Sequence, residues 1–460
     1  MDIISPLIAV GLHLGLDTSA QALLYLGMFV AFFASIFWRP TIGIYLLAFT
    51  LPAQTVRYRL HVYPLGAEFL DILILGTVLG LVVRKQSLIP KSPINRILLI
   101  LAIFYYVSMW MGAFFLSAPL PWFFTDDRFS DWKNYVEMFM FAPLVAAAFK
   151  EKREIYILII IMCFSVLAIN RSYISLISSR DFSHFSYEAR DSGALGYAGE
   201  NGFAAFESMF ASFLLGVCVY QKRILVKLAI LGVVATNIYC LLFSFSRGGY
   251  IGLMVGVLTI GLLKARHYIV LLVIVLFAWQ FLLPTSVQER ITMTTQGTVA
   301  GQQFDSSSEE RVTLWQGALE LFERNPVTGT GFDTYQFMGT GGPYRDTHNY
   351  FMKVLAETGI VGLFLYLFLL KKLLRVGRKL FRAGGDRFWN ALSLGFIACV
   401  TSSIAMNFFG DRWTYQQVGG YLWILLGCII RGLLTVEERA STSVPEAFEL
   451  TANEVPAIVA

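Results

Sequence analysis

Charge is what this sequence has least of. Only 15% of its 460 residues are Asp, Glu, Lys or Arg, against 56% hydrophobic residues, and the mean hydropathy is +0.63. That balance excludes an ordinary soluble domain. Cysteine and histidine are equally sparse, at five each. Cys163, Cys218, Cys240, Cys399 and Cys428 all fall inside apolar segments, with no CxxC spacing and no partner in a polar loop. They read as small buried apolar residues, which excludes a disulfide framework. The histidines form no HExxH and no pair at helical spacing, so no protein-bound metal and no other cofactor is expected. No nucleic-acid partner is expected either. No Lys or Arg precedes Arg39, so the start lacks the basic region of a cleavable signal peptide, and an outward-facing N-terminus is expected.

What the chain has instead is a series of apolar runs of membrane-spanning length. They fall at about 21–38, 41–54, 67–83, 94–116, 132–149, 154–177, 201–220, 224–245, 248–263, 267–283, 349–370, 388–409 and 413–433. The fold class that follows is all-α, a polytopic integral membrane helical bundle of about 12–13 spans filling residues 1–434. Ile3 to Leu16 reads as a further short span or an interfacial helix. The polar tail 435–460 reads as a disordered cytoplasmic end. Lysine and arginine set the orientation, because translocation disfavours them in short loops. Clusters at Arg84–Arg96, Lys150–Arg153, Lys222–Lys227, Lys264–Arg266 and Lys371–Arg387 mark cytoplasmic loops. The loops 55–66, 117–131, 178–200 and 284–348 and the turn near Arg412 are then external.

The external cations are arginines almost throughout: Arg57, Arg59, Arg128, Arg180, Arg190, Arg247, Arg290, Arg311, Arg324, Arg345 and Arg412, with Lys133 and Lys353 only at helix margins. A planar guanidinium suits bidentate phosphate or carboxylate contacts better than an ammonium does. Anchoring to lipid headgroups is the plainer reading, and the favoured one for Arg57 and Arg59. Ionisable residues inside apolar runs (Glu68, Asp71, Glu137, Arg171, Glu207 and Glu357) also gather toward the external ends, as expected of a site that opens outward. Glu68 and Asp71 fit a helix start equally well.

Ser246-Arg247-Gly248-Gly249 combines these signals. Ser246 is a suitable N-cap for a helix running inward, and an arginine at the positive end of a helix is unfavourable unless an anion shares the place. Helix N-terminus and Arg247 together make a phosphate cradle. Gly248, Gly252 and Gly256 permit close approach of a neighbouring helix or a lipid chain. The loop 284–348 holds a second set. Ser306 with Glu309, or Ser307 with Glu310, starts an amphipathic helix with Val312, Trp315, Ala318, Leu319 and Phe322 on one face, stopped by Asn325-Pro326. A glycine-rich stretch then leads to Arg345-Asp346-Thr347-His348-Asn349. Neutral imidazole can take a proton near neutral pH, although a lone histidine at an interface is more often a capping or hydrogen-bonding residue. Asn349, Asp346, Glu357 and Arg311 nearby favour the catalytic reading.

These residues resemble the bacterial O-antigen ligase and O-antigen polymerase superfamily. The resemblance rests on Ser246-Arg247-Gly248-Gly249, Arg311-x-x-x-Trp315, Asn325-Pro326-x-x-Gly329-x-Gly331-Phe332, His348-Asn349 and Glu357-x-Gly359-Ile360-x-Gly362. Arg190-x-x-Gly193 with Asn201 at the next helix start is similar too, although Glu200 stands where that family commonly has proline. The similarity covers about 190–370, and the first 180 residues share only hydropathy. It implies a C-type glycosyltransferase-like fold with a partly helical periplasmic loop at 284–348, in the bacterial inner membrane with the site facing the periplasm. It implies transfer of a glycan from an undecaprenyl-diphosphate-linked donor to a lipid or glycan acceptor hydroxyl, without a metal and with inversion, among membrane lipids. By this resemblance His348 is the base; Arg247, Arg190 and Arg311 hold the diphosphate; and Ser246, Gly248, Asn349, Glu357 and Asn201 support them. O-antigen ligase is the first expectation. Polymerase, protein O-oligosaccharyltransferase and lipid-linked-glycan transporter follow in that order.

Overall fold

The computed structural model describes residues 18–123, 126–293, 306–338, 346–383 and 385–452. Among them there is no strand, and sixteen α-helices make the architecture. α1 (Thr18–Phe37), α2 (Thr41–Thr50), α3 (Gln54–Tyr58) and α4 (Phe69–Val83) are followed by α5 (Asn95–Phe115), α6 (Asp127–Ala148) and α7 (Lys152–Ile177). The middle of the chain forms α8 (Gly199–Cys218), α9 (Ile224–Phe243), α10 (Arg247–Leu263), α11 (His267–Leu282), α12 (Thr285–Thr292) and α13 (Ser306–Arg324). α14 (Tyr350–Arg382), α15 (Arg387–Met406) and α16 (Gln416–Ala452) complete it. Polar caps start several of them: Asp126 for α6, Ser246 for α10, Asn349 for α14 and Asp386 for α15 each accept a backbone N–H of the first turn.

The chain is a polytopic membrane bundle. Eight helices, α1, α5, α7, α8, α9, α14, α15 and α16, are long and apolar enough to cross a membrane. α11 and α12, bent by 111°, form one further broken pair, and α2, α4 and α10 are apolar but shorter. Apart from α6, which has 22 residues but is more polar, the apolar runs of the sequence thus divide into full-length crossings and helices too short to cover a hydrocarbon core of ~30 Å alone. α16 continues to Ala452, so helix occupies much of the stretch 435–460 expected as a disordered tail; 453–460 lie outside the described residues, as does Ile3 to Leu16.

α8 is the axis of the bundle. Its span is 94% buried, against 17% for α1 and 28% for α9, and it packs on α9, α10, α15 and α16. Small residues bring these helices together: a Cβ on Gly216 of α8 would stand 2.5 Å from the Gly395 Cα of α15. The row of glycines on α10 serves the same end, since a Cβ at Gly252 would strike Met406 and one at Gly256 would strike Ser212.

α14 is broken near its start. Gly359 has φ +62, outside the helical range, and the backbone groups released there find partners in the segment after α13. Ile360 N donates to Pro326 O at 2.9 Å, while Thr330 N and Gly331 N donate to Ala356 O and Glu357 O at 3.0 and 2.7 Å. Irregular backbone at membrane depth survives only where protein satisfies it. Glu357 belongs to this joint: it is buried, and its Oε1 accepts from Tyr335 N at 3.1 Å.

α13 matches the predicted helix, but its buried face is turned from the expected one. Leu314, Ala318 and Leu321 are buried, whereas Val312 and Leu319 are 42% and 43% exposed. The reason is the partner: α13 packs on α14, and Tyr335 and Ala356 complete the small core beneath it.

A Cβ at Gly359 would stand 2.3 Å from Val327 O. Gly359→Ala should therefore cost about 1–3 kcal/mol, read as a lower thermal midpoint in detergent. Gly232→Ala in α9, with open space at its Cβ, should leave the midpoint unchanged or raise it. Equal midpoints for the two variants would refute the dependence of the joint on glycine.

Candidate functional site

The turn between α9 and α10 is the foundation of the site. Phe245 adopts φ +54, which directs the chain sharply into Ser246, and Ser246 Oγ caps α10 by accepting from Gly249 N at 3.4 Å. Two carbonyls of this turn would be left without partners, and two arginines take them. Arg190 Nε donates to Ser244 O at 3.2 Å, and Arg290 Nε donates to Phe245 O at 3.3 Å. Asn201, in the first turn of α8, ties the group together: its Oδ1 accepts from Arg190 Nη2 at 2.9 Å and from Ser246 Oγ at 2.8 Å. Glu200 adds a carboxylate 2.9 Å from Arg190 Nη1.

A polar cavity opens on this turn, lined by Arg190, Asn201, Ser246, Arg247, Gly248, Arg290, Arg311, Met406, Phe409 and Arg412. Five guanidinium groups thus share one space with the N-terminus of α10. Arg290 is additionally stacked on Phe185 and Tyr187, its Cζ 4.8 and 5.2 Å from the ring centroids, which holds a cation in place where other cations repel it. Gly248 lets the wall close, since a Cβ there would meet Phe409 Cβ at 2.8 Å. Beside Phe409 an apolar cavity of about 450 Å³ lies between α10 and α15, lined by Ile251, Val255, Thr401, Ile404, Ala405, Phe408 and Phe409.

His348 stands beside this cavity and does not line it. Its charged neighbours are Asp346 and Glu310, which favour the imidazolium, and Arg412 and Arg311, which oppose it. Burial is the largest influence and, with the arginines, it pulls the imidazole below the ordinary histidine range. Nδ1 faces Asp346 Oδ2 at 3.6 Å. The backbone of His348 has φ +49, a strained value for a residue with a side chain. Its neighbours fix it there: Thr347 Oγ1 donates to Asn349 O at 2.7 Å, Trp315 Nε1 donates to Thr347 O at 3.0 Å, and Asn349 Oδ1 caps α14 through Phe351 N and Met352 N. Arg311 and Trp315, one helical turn apart on α13, therefore face the cavity and the histidine loop respectively.

Arg190, Asn201, Ser246, Arg247, Gly248 and Arg311 come together at the cavity as lining residues, with His348 and Asn349 alongside. Glu357 does not join them, being taken up by the break in α14. Sequence reasoning missed Arg290 and Arg412 as members, having counted them only among external arginines. It also set Lys353 aside as marginal. Lys353 Nζ lies 3.1 Å from Asp411 Oδ2 and 3.8 Å from Asp333 Oδ1, pinning the turn before α16 to α14. Burial opposes ionisation of Asp411, but Lys353 and Thr414 outweigh it and hold the carboxyl below its usual range. The shared external sign of these cations was the available signal.

Residues 232–367 match the family model described as O-antigen ligase. No curated protein matches the chain. The matched stretch contains Ser246, Arg247, Arg290, Arg311, His348 and the joint at Gly359, while Arg190, Asn201 and Arg412 approach it from outside. The match over residues 232–367 supports a likeness of this part of the chain to the O-antigen ligase and polymerase superfamily.

Proposed function

We propose that this protein is a metal-independent, inverting membrane glycosyltransferase of the O-antigen ligase type. It moves a glycan from undecaprenyl diphosphate to an acceptor hydroxyl at the periplasmic face of the inner membrane. The observation that carries this reading is the cavity in which five arginines and a helix N-terminus converge beside His348. Such a convergence of cations favours an anion of several charges, and a diphosphate supplies it. The apolar cavity beyond Phe409 gives the same molecule a place for its isoprenoid chain.

In this mechanism the acceptor hydroxyl attacks the anomeric carbon as the bond from that carbon to the diphosphate oxygen breaks. The hydroxyl proton passes to the imidazole of His348, and the resulting imidazolium faces the Asp346 carboxylate. The electron pair of the broken bond leaves with the lipid diphosphate, where Arg247, Arg190 and Arg311 meet the growing charge. A single displacement inverts the anomeric centre. No step passes through a metal, because the guanidinium groups perform the charge stabilisation that a divalent cation would supply.

Purified protein given a lipid-diphosphate glycan and a glycan or lipid acceptor should release the lipid diphosphate and elongate the acceptor. His348→Asn should lower kcat by about 10²–10⁴-fold. Asparagine tolerates the left-handed φ of this position, so the loss is assignable to the base. Vectorial lipid movement without transfer, or full activity of the variant, would overturn the reading. Arg247→Lys should also lower kcat/KM by at least about tenfold, because a point charge does not reproduce a forked contact. Chelators should leave the rate unchanged, and a chelated enzyme rescued only by added divalent ion would contradict the mechanism. Because His348 is held below the ordinary range in the empty protein, the neutral base persists to lower pH, and the acidic limb of the kcat/KM profile should fall below pH ~6.5.

A further inference from the structure

Arg412 differs from Arg190 and Arg290 in how it is held. Arg190 is occupied by Ser244 O, Asn201 and Glu200, and Arg290 by Phe245 O, Tyr187 and two aromatic rings. Arg412 is 5% exposed, its Nη1 donates only to the carbonyl of the adjacent Asp411 at 3.2 Å, and its buried Nε has no partner. A buried guanidinium with an open donor, on the wall of a cavity, is a group prepared for an anion. Gly410 preserves its room, since a Cβ there would stand 2.3 Å from Arg412 Nη2.

The turn that carries Arg412 is also tied to the chain beside the histidine. Asn407 Oδ1 accepts from Arg412 N at 3.0 Å, and Asn407 O accepts at 2.8 Å from Tyr350 N, two residues after His348. Asp411, next to Arg412, is turned the other way to Lys353 and Thr414, so it does not neutralise the guanidinium. The groups that face His348 are Asp346 from its own loop, Glu310 and Arg311 from α13, and Arg412 from this turn.

We propose that Arg412 couples the two halves of the site: its guanidinium binds the anion in the arginine cavity, and filling the cavity readies His348 to take a proton. With the cavity empty, Arg412 and Arg311 oppose the imidazolium, and the base is weak. A diphosphate cancels their field, leaving Asp346 and Glu310 to favour protonation, so the base strengthens only when a donor is bound. After transfer, departure of the lipid diphosphate restores the positive field and drives the proton from His348 to water, which resets the site. This inference rests on the proposed diphosphate site, but its test needs no turnover.

The full chain in detergent, labelled with ring-¹³C histidine, would be titrated by NMR with and without saturating inorganic pyrophosphate, and His348→Gln would assign the resonance. In the wild type the His348 midpoint should rise by about 0.5–1 pH unit when pyrophosphate binds. In Arg412→Gln the midpoint of the empty protein should already lie higher, the pyrophosphate-induced rise should shrink by half or more, and the pyrophosphate Kd should weaken about tenfold. Arg412→Lys should keep the rise but not the affinity, and it carries the test if Arg412→Gln does not fold. Pyrophosphate that binds without moving the midpoint, or an Arg412→Gln protein that keeps both rise and affinity, would overturn the coupling while leaving the diphosphate site intact. Failure of pyrophosphate to bind the wild type would overturn both.

Discussion

Mutual repulsion among crowded guanidinium groups is the constraint around which this end of the protein is built. Arg190, Arg247, Arg290, Arg311 and Arg412 share one cavity, and like charges this close destabilise the fold unless each is separately held. The chain holds two of them with its own backbone. The turn from α9 into α10 offers Ser244 O to Arg190 and Phe245 O to Arg290, so the same contacts that satisfy a strained turn also position cations. The positive end of α10 adds to the unfavourable field, so the resting arrangement stores a preference for an anion.

The supporting architecture follows from keeping that cavity rigid beside a histidine that arrives from a distant stretch of chain. α8 supplies Asn201 and Glu200 at its start and packs over its whole length on the helices around it. The break at Gly359 lets the segment after α13 lie against α14, which fixes α13 and, through Trp315, the loop before His348. Lys353 and Asp411 lock the remaining wall. Motif residues that do not line the cavity, such as Asn325-Pro326, Gly329, Gly331 and Glu357, form this joint. A Cβ on Gly331 would stand 2.2 Å from Gly112 Cα, and one on Gly329 would stand 2.3 Å from the Glu357 carbonyl carbon.

Much of this was legible along the chain. Ser246 was readable as a cap because N-cap preference is local, and the bounds of α13 were readable because its start and stop signals lie within it. The choice of buried face on α13 was not readable, since Val312 and Leu319 fit the apolar stripe as well as Leu314 and Leu321 do, and α14 decides between them. The place of Glu357 was not readable for a related reason: a carboxylate in an apolar run gives no sign of its backbone partner, Tyr335 N, until the fold brings the two together.

What the sequence determined by itself is the membrane bundle, the gathering of arginines toward one side and the helix start at Ser246. Hydropathy, charge placement and capping act over a few residues, so they are written in the local order of the chain. Tertiary structure alone decided that Arg290 and Arg412 join Arg190, Arg247 and Arg311, that Glu357 is withdrawn into a helix break, and that Arg412 stands between the cavity and His348. Those relations join residues on different elements of the chain, and only the packing of α8, α10, α14 and α15 brings their side chains within reach of one another.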